Sequence, residues 1–403
     1  MTSNTDENHI STIPHKSIAS ALNGHDNSFG FLRLVFAFLV IVSHTYPLGG
    51  FGADPMFALF SAQDSLGGIA VTGFFALSGY LIVRSGRFLD VMQFIWHRIL
   101  RIFPGYWVAL LVGALIVGPL VWWADGNVMS EYISRAPGSA YSYLKLNADL
   151  NIRQYGIFNI FANTTPYGEL VKGSVLNGSL WTLIYEWGCY LLVAGLVLFG
   201  VLKKSRFVVL AITLFFLILQ ILQIATPDVP ETFFSLFQDQ YRISLTLVFM
   251  VGASIGIYAD KVPFDLNLGI FSGCIAAITL FKGGWSLIGY VAFAYFVLWL
   301  GAALPKTLHW IGSKNDYSYG VYIYGFLVQQ FTAYLGWYKW GIVPWTITSS
   351  LIAFGMAWIS WHLVEKQAMK LKKIGPGKGI SFWINKIFKK STLAGQKTTE
   401  ASK

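Results

Sequence analysis

Apolar residues in this chain come in long blocks rather than alternating with polar ones, and the blocks set the architecture. Ten of them, at about 29–49, 67–85, 103–123, 177–199, 207–225, 242–258, 264–281, 285–303, 318–337 and 343–364, are long enough as helices to cross a bilayer core of about 30 Å. The predicted fold is all-α, a polytopic membrane helical bundle of about ten transmembrane helices. The closest pair of blocks is parted only by Lys282-Gly283-Gly284, which reads as a tight turn. Polar stretches divide the rest. Residues 1–28 read as a disordered cytoplasmic N-terminus, 29–370 as the membrane domain and 371–403 as a basic cytoplasmic tail. The connection 125–176 is too long for a turn and reads as an external excursion.

The first block carries two residues that do not belong in hydrocarbon. Arg33 and His44 lie within Phe29 to Leu48, and charge at that depth is costly unless it faces a wet or paired interior. Eleven residues at roughly 100° each bring them to within about 20° of one helix face, roughly 16 Å apart along it. A fixed cation and a titratable imidazole on one stripe form a site layout.

Composition agrees with the membrane reading. The 403 residues are 55% hydrophobic and 12% charged, about half the charged share of a soluble domain. The net charge of +10 does not point to nucleic acid, because much of the excess sits in the tail just past the last block, where it suits anionic headgroups. With both termini cytoplasmic, Arg84, Arg87, Arg98, Arg101, Lys203, Lys204, Arg206, Lys261, Lys306 and Lys314 fall inside, whereas Asp54, Asp64, Asp228, Glu231 and Asp239 fall outside. No cleavable signal peptide is expected, since residues 1–28 lack an apolar core. Cys189 and Cys274 both lie in apolar blocks and read as packing residues rather than a disulfide. No metal is expected.

Further candidates recur at block ends. Arg98 and Arg101, three apart ahead of the third block, share a helix face and suit phosphate, against the plainer reading of positive-inside anchors. In Gly67-Gly68-Ile69-Ala70-Val71-Thr72-Gly73-Phe74-Phe75-Ala76-Leu77-Ser78-Gly79-Tyr80 the small residues favour close helix packing, and Ser78 offers a hydroxyl. Glu186 lies within an apolar block and needs a partner, for which Arg33 and His44 are the natural candidates. Tyr317 to Tyr324 supplies hydroxyls, while His362 and Glu365 read as interfacial.

In order, Arg33-x10-His44, Gly73-Phe74-Phe75-Ala76-Leu77-Ser78-Gly79, Arg98-x-x-Arg101 leading to Pro104, Trp181-Thr182-Leu183-x-x-Glu186, Tyr317-Ser318-Tyr319-Gly320-Val321-Tyr322 and Glu365-Lys366 resemble the successive motifs of the acyltransferase family 3 integral membrane proteins. The resemblance spans about 29–370. It implies an acyl-CoA-dependent O-acyltransferase of the cell inner membrane, commonly an O-acetyltransferase using acetyl-CoA, that modifies hydroxyls of a surface polysaccharide or glycolipid. His44, Arg33 and Glu186 are then the catalytic candidates, and Arg98, Arg101 and Ser78 the donor-binding ones. Where many relatives carry His and Pro in the ninth block, this chain has Gly325 and Leu327, and Gln367 stands where Pro follows Glu-Lys. No esterase-like domain is expected after residue 370. The competing reading is a transporter or flippase for an amphipathic solute, with Arg33, His44 and Glu186 as its substrate or proton path.

Overall fold

The structure, a computed structural model, describes residues 16–22, 24, 26–226 and 239–386. Each predicted block is a helix, and no strand occurs among the described residues. The helices are α1 Phe29–Leu48, α2 Leu66–Gly86, α3 Val91–Ala124, α4 Gly178–Leu198, α5 Arg206–Ala225, α6 Gln240–Ile257, α7 Leu266–Lys282, α8 Trp285–Ala303, α9 Ser318–Tyr334 and α10 Ile342–Lys373. Eight are long and apolar enough to span a membrane, α7 and α9 being shorter at 17 residues each. The α7–α8 turn is real: Gly283 and Gly284 take φ of +101° and +90°, a backbone that side-chain-bearing residues rarely adopt.

Burial separates the centre of the bundle from its rim. In α9, 15 of 17 residues are buried, so neighbours on all sides partner its Ser, Tyr and Gln side chains and it does not need to be uniformly apolar. The glutamine amide nitrogens there find protein, Gln329 donating to the Ile41 carbonyl at 3.0 Å and Gln330 to that of Val175 at 2.7 Å, while both Oε1 atoms are buried without a partner. In contrast, α5 buries only Val209, Thr213, Phe216, Leu219 and Gln220, a narrow seam at helical spacing, and leaves its other faces to lipid.

The small residues of α2 pack as expected. A side chain added at Gly79 would meet the Phe249 carbonyl of α6, and one at Gly252 would meet the Ala76 carbonyl of α2. Backbone approach of this kind replaces the hydrophobic drive that lipid does not supply. Gly252→Leu is therefore expected to destabilise the bundle by about 1–3 kcal/mol or more through overpacking, read as a lower melting temperature in detergent.

Three expectations need correction. The third helix starts at Val91, not near 103, because Asp90 and Gln93 form a reciprocal cap; Arg98 and Arg101 thus lie inside it, and Pro104 is absorbed without ending it. Part of the supposed disordered N-terminus is fastened down: residues 18–21 form a helical turn, Ile18 is fully buried, and its amide donates to the Val262 carbonyl at 2.9 Å. The chain past about residue 375, also expected to be disordered, is held as well, with the Ile380 amide donating to Asp90 at 3.0 Å. Residues 1–15, 227–238 and 387–403 lie outside the described residues. The excursion 125–176 holds short helices at Met129–Tyr132, Ala140–Asn147 and Pro166–Val171, tied to α3 where Tyr106 donates to the Asn147 carbonyl and Tyr132 to that of Ala114, each at 2.5 Å. Both cysteines are free; Cys189 is packed, whereas Cys274 is exposed on α7 rather than buried.

Candidate active site

A cavity of about 550 Å³ opens among α1, α2, α3, α4, α9 and α10. Arg33, Ser78, Arg98, Arg101 and Glu186 all line it, together with Asp316 and Tyr190. Helical periodicity explains the convergence: Arg98 and Arg101 sit one turn apart on α3, and Glu186 and Tyr190 one turn apart on α4. Five of the six residues singled out from the sequence thus meet in one place. His44 is not among the lining residues.

The two arginines of α3 differ in what surrounds them. Arg101 and Arg33 both contact Oδ2 of Asp316 at 2.6 Å, and Arg101 lies 4.0 Å from Glu365. Asp316 also accepts the Ser318 hydroxyl at 2.5 Å. Burial alone would raise the Asp316 carboxyl, but Arg33 and Arg101 hold it down at about 2, below the usual carboxylate range. One anion thereby links α1, α3 and the start of α9. Arg98 has no carboxylate within 4.0 Å among the described residues. Its Nε is buried without a hydrogen-bond partner, and its guanidinium lies over the rings of Phe94 and Tyr190 at 5.6 and 5.8 Å. A sheltered cation with no carboxylate in contact and one idle N–H suits an anion.

Glu186 finds partners other than the expected Arg33 and His44. It accepts the Tyr190 hydroxyl at 2.5 Å and that of Ser78 at 3.4 Å, and Ser78 and Tyr190 are 3.3 Å apart. Three groups from α2 and α4 thus share one hydrogen-bonded corner facing the cavity.

His44 lies deeper along α1. Phe74, Thr182 and Tyr322 line the cavity, with the Thr182 and Tyr322 hydroxyls 2.5 Å apart and the Phe74 and Tyr322 rings edge to face at 5.9 Å. His44 meets Phe326 edge to face at 5.3 Å, and its Nδ1 is buried with no hydrogen-bond partner. Asp54 lies within electrostatic range of it; this carboxylate precedes a short helix and accepts the Ser43 hydroxyl at 2.6 Å and the Leu66 amide at 2.8 Å. Arg33 and His44, expected to form one site on a shared stripe of α1, are therefore set apart, Arg33 lining a polar chamber and His44 in an aromatic setting outside its lining. Gly325, where many relatives were expected to carry His, abuts Ile41, and an added side chain would collide there.

Asp316, Asp54, Tyr190 and Lys372 were missed in the sequence, and Glu365 was set aside as interfacial. Tyr190 had a signal, since it stands four residues after Glu186 on a helix. Asp316 had none, because its partners are hundreds of residues away.

Comparison with known proteins agrees with the geometry. Residues 26–364 match a family model described as an acyltransferase domain. An O-acetyl transferase of Shigella phage Sf6 is 30% identical over 356 residues, covering 85% of this chain and 95% of the relative. Nodulation protein 10 of Rhizobium leguminosarum bv. viciae is 26% identical over 384 residues, covering 87% and 95%. No solved structure matches. With the family match reaching every helix of the bundle and the motif residues Arg33, Ser78, Arg98, Arg101 and Glu186 gathered around one polar chamber, this chain belongs to acyltransferase family 3 and is a membrane-embedded acyltransferase.

Proposed function

We propose that this protein is an acyl-CoA-dependent O-acyltransferase of the cell inner membrane that moves an acetyl group from acetyl-CoA to a hydroxyl of a surface polysaccharide or glycolipid, with both termini cytoplasmic. The observation that carries the donor half is Arg98, a buried cation with an unpartnered Nε and no ion-pair partner within 4.0 Å among the described residues, in a chamber large enough for a ligand. Phosphate at the nucleotide end of the donor would neutralise this cation and accept from its Nε, and the pantetheine arm would extend past Ser78 and Glu186 toward His44. The similarity to an O-acetyl transferase supports the choice of acyl group.

In this scheme the unpartnered His44 nitrogen removes the proton from the acceptor hydroxyl as its oxygen attacks the thioester carbonyl. The carbon–sulfur bond breaks, and the proton passes from the imidazole to the departing thiolate, leaving an ester and free coenzyme A. Arg33, fixed by Asp316, orients the donor, and Arg101 holds Asp316 in place.

The test uses the full chain in lipid nanodiscs, with release of coenzyme A followed on acetyl-CoA and surface glycans followed by mass spectrometry. Arg98→Gln is expected to raise the KM for acetyl-CoA roughly ten- to a hundredfold, as loss of one or two charge-assisted contacts requires, with little change in melting temperature because Arg98 is in no ion pair. An unchanged KM refutes the donor assignment. Cells lacking the chain should lose a mass of one acetyl group from a surface sugar.

A further inference from the structure

We propose that the end of α10 and the chain that follows it complete the donor site, with Lys372 acting beside Arg98 to bind the phosphate groups at the nucleotide end of acyl-CoA. The inference rests on the donor reading above and extends it to a segment that lies outside all the motifs that carry the family resemblance.

The path of the tail is set by hydrogen bonds along the first turns of α3. Trp96 donates to the Leu371 carbonyl, the His97 ring lies 3.1 Å from the Lys372 carbonyl, and the Ile380 amide donates to Asp90, which caps α3, at 3.0 Å. Gly377 is buried, and an added side chain would strike the Lys372 carbonyl. Trp383 closes the loop by donating to the Gly375 carbonyl at 3.1 Å. These contacts pin the backbone of residues 371–380 to the same two turns that display Arg98.

The pinned backbone brings a cation to the chamber. Lys372 lines the cavity and lies within electrostatic range of Arg98 and Arg101. No carboxylate comes within 4.0 Å of Lys372 among the described residues. Asp316 occupies Arg33 and Arg101, which leaves Arg98 and Lys372 as the two cations at this mouth without an ion-pair partner. Like charges held together repel, and a fold that builds backbone contacts to hold them there needs an anion with several charges to relieve the repulsion. A nucleotide carrying a diphosphate and a phosphomonoester has that character, and the lysine, as a compact point charge, complements the planar fork of the arginine.

The experiment titrates the full chain in nanodiscs of neutral lipid with coenzyme A and with 3′,5′-adenosine bisphosphate. Lys372→Gln should weaken both about tenfold, raise the KM for acetyl-CoA by the same factor and leave kcat at saturating donor unchanged. Lys372→Arg should keep most of the affinity, and Lys373→Gln, at an exposed neighbour outside the cavity, should bind as wild type. Wild-type affinity in Lys372→Gln, with Arg98→Gln still weakened, overturns the role of the tail and leaves the donor reading intact. Wild-type affinity in both variants overturns the donor reading itself. A Lys372→Gln defect confined to binding of vesicles containing anionic lipid would assign the lysine to headgroups and overturn the proposal.

Discussion

Asp316→Ala should lower the stability of the folded bundle by about 3–5 kcal/mol, the usual cost of stranding a buried charge. Here two cations are stranded, Arg33 on α1 and Arg101 on α3, each 2.6 Å from the same carboxylate oxygen and each at most 25% exposed. Glu365 is too far, at 4.0 Å from Arg101, to take over. The expected result is a markedly lower melting temperature in detergent, together with loss of activity as Arg33 swings away. Asp316→Asn, which keeps one acceptor, should fall between. Pairing the change with Arg33→Gln should recover part of the loss, because removing one cation along with the anion reduces the uncompensated charge. The pH dependence has a definite sign. The carboxyl is held at about 2 in the folded protein against an ordinary value of 3.8, so its contribution is present above about pH 4 and fades as pH falls toward 2. Wild type should therefore lose stability across that window more steeply than Asp316→Asn. Melting of Asp316→Ala within a degree of wild type would show that the shared carboxylate holds nothing together.

This aspartate also shows where the sequence stops being informative. Long apolar blocks announce spanning helices because a bilayer leaves a segment few other ways to satisfy its backbone, and all ten were legible. Spacing along one helix was equally readable: Arg98 with Arg101 and the small residues of α2 keep their faces in the structure. Contacts between helices were not. Asp316 lies in a short polar connection before α9, and nothing local says that residues 33 and 101 close on it. Glu186 was recognised as needing a partner, yet the nearest one lay four residues on, at Tyr190, and was overlooked in favour of a more distant charge. The start of α3 was misplaced for a related reason. Arg98 and Arg101 read as a helical face ahead of the span when charge is taken to mark its edge, but an arginine can lie in a membrane helix when an interior chamber receives it.

His44→Ala should reduce kcat by two to four orders of magnitude, the range a positioned general base supplies, while leaving affinity for coenzyme A as in wild type. The separation follows from the geometry. Arg33 and Arg98 line the chamber and His44 does not; His44 packs on Phe326. Loss of the imidazole therefore removes nothing the nucleotide end touches. It should also do little to folding, since the ring makes no hydrogen bond through Nδ1 that the bundle depends on. The two halves of the site then have opposite signatures: Arg98→Gln raises KM with kcat near normal at saturating donor, and His44→Ala lowers kcat with KM near normal. His44→Ala protein should bind acetyl-CoA in nanodiscs and release no coenzyme A when the acceptor is added. If instead His44→Ala weakens coenzyme A binding in step with Arg98→Gln, the imidazole belongs to the donor chamber and the base lies elsewhere. If turnover persists at the wild-type rate, proton removal does not pass through residue 44, and the unpartnered nitrogen would need another explanation.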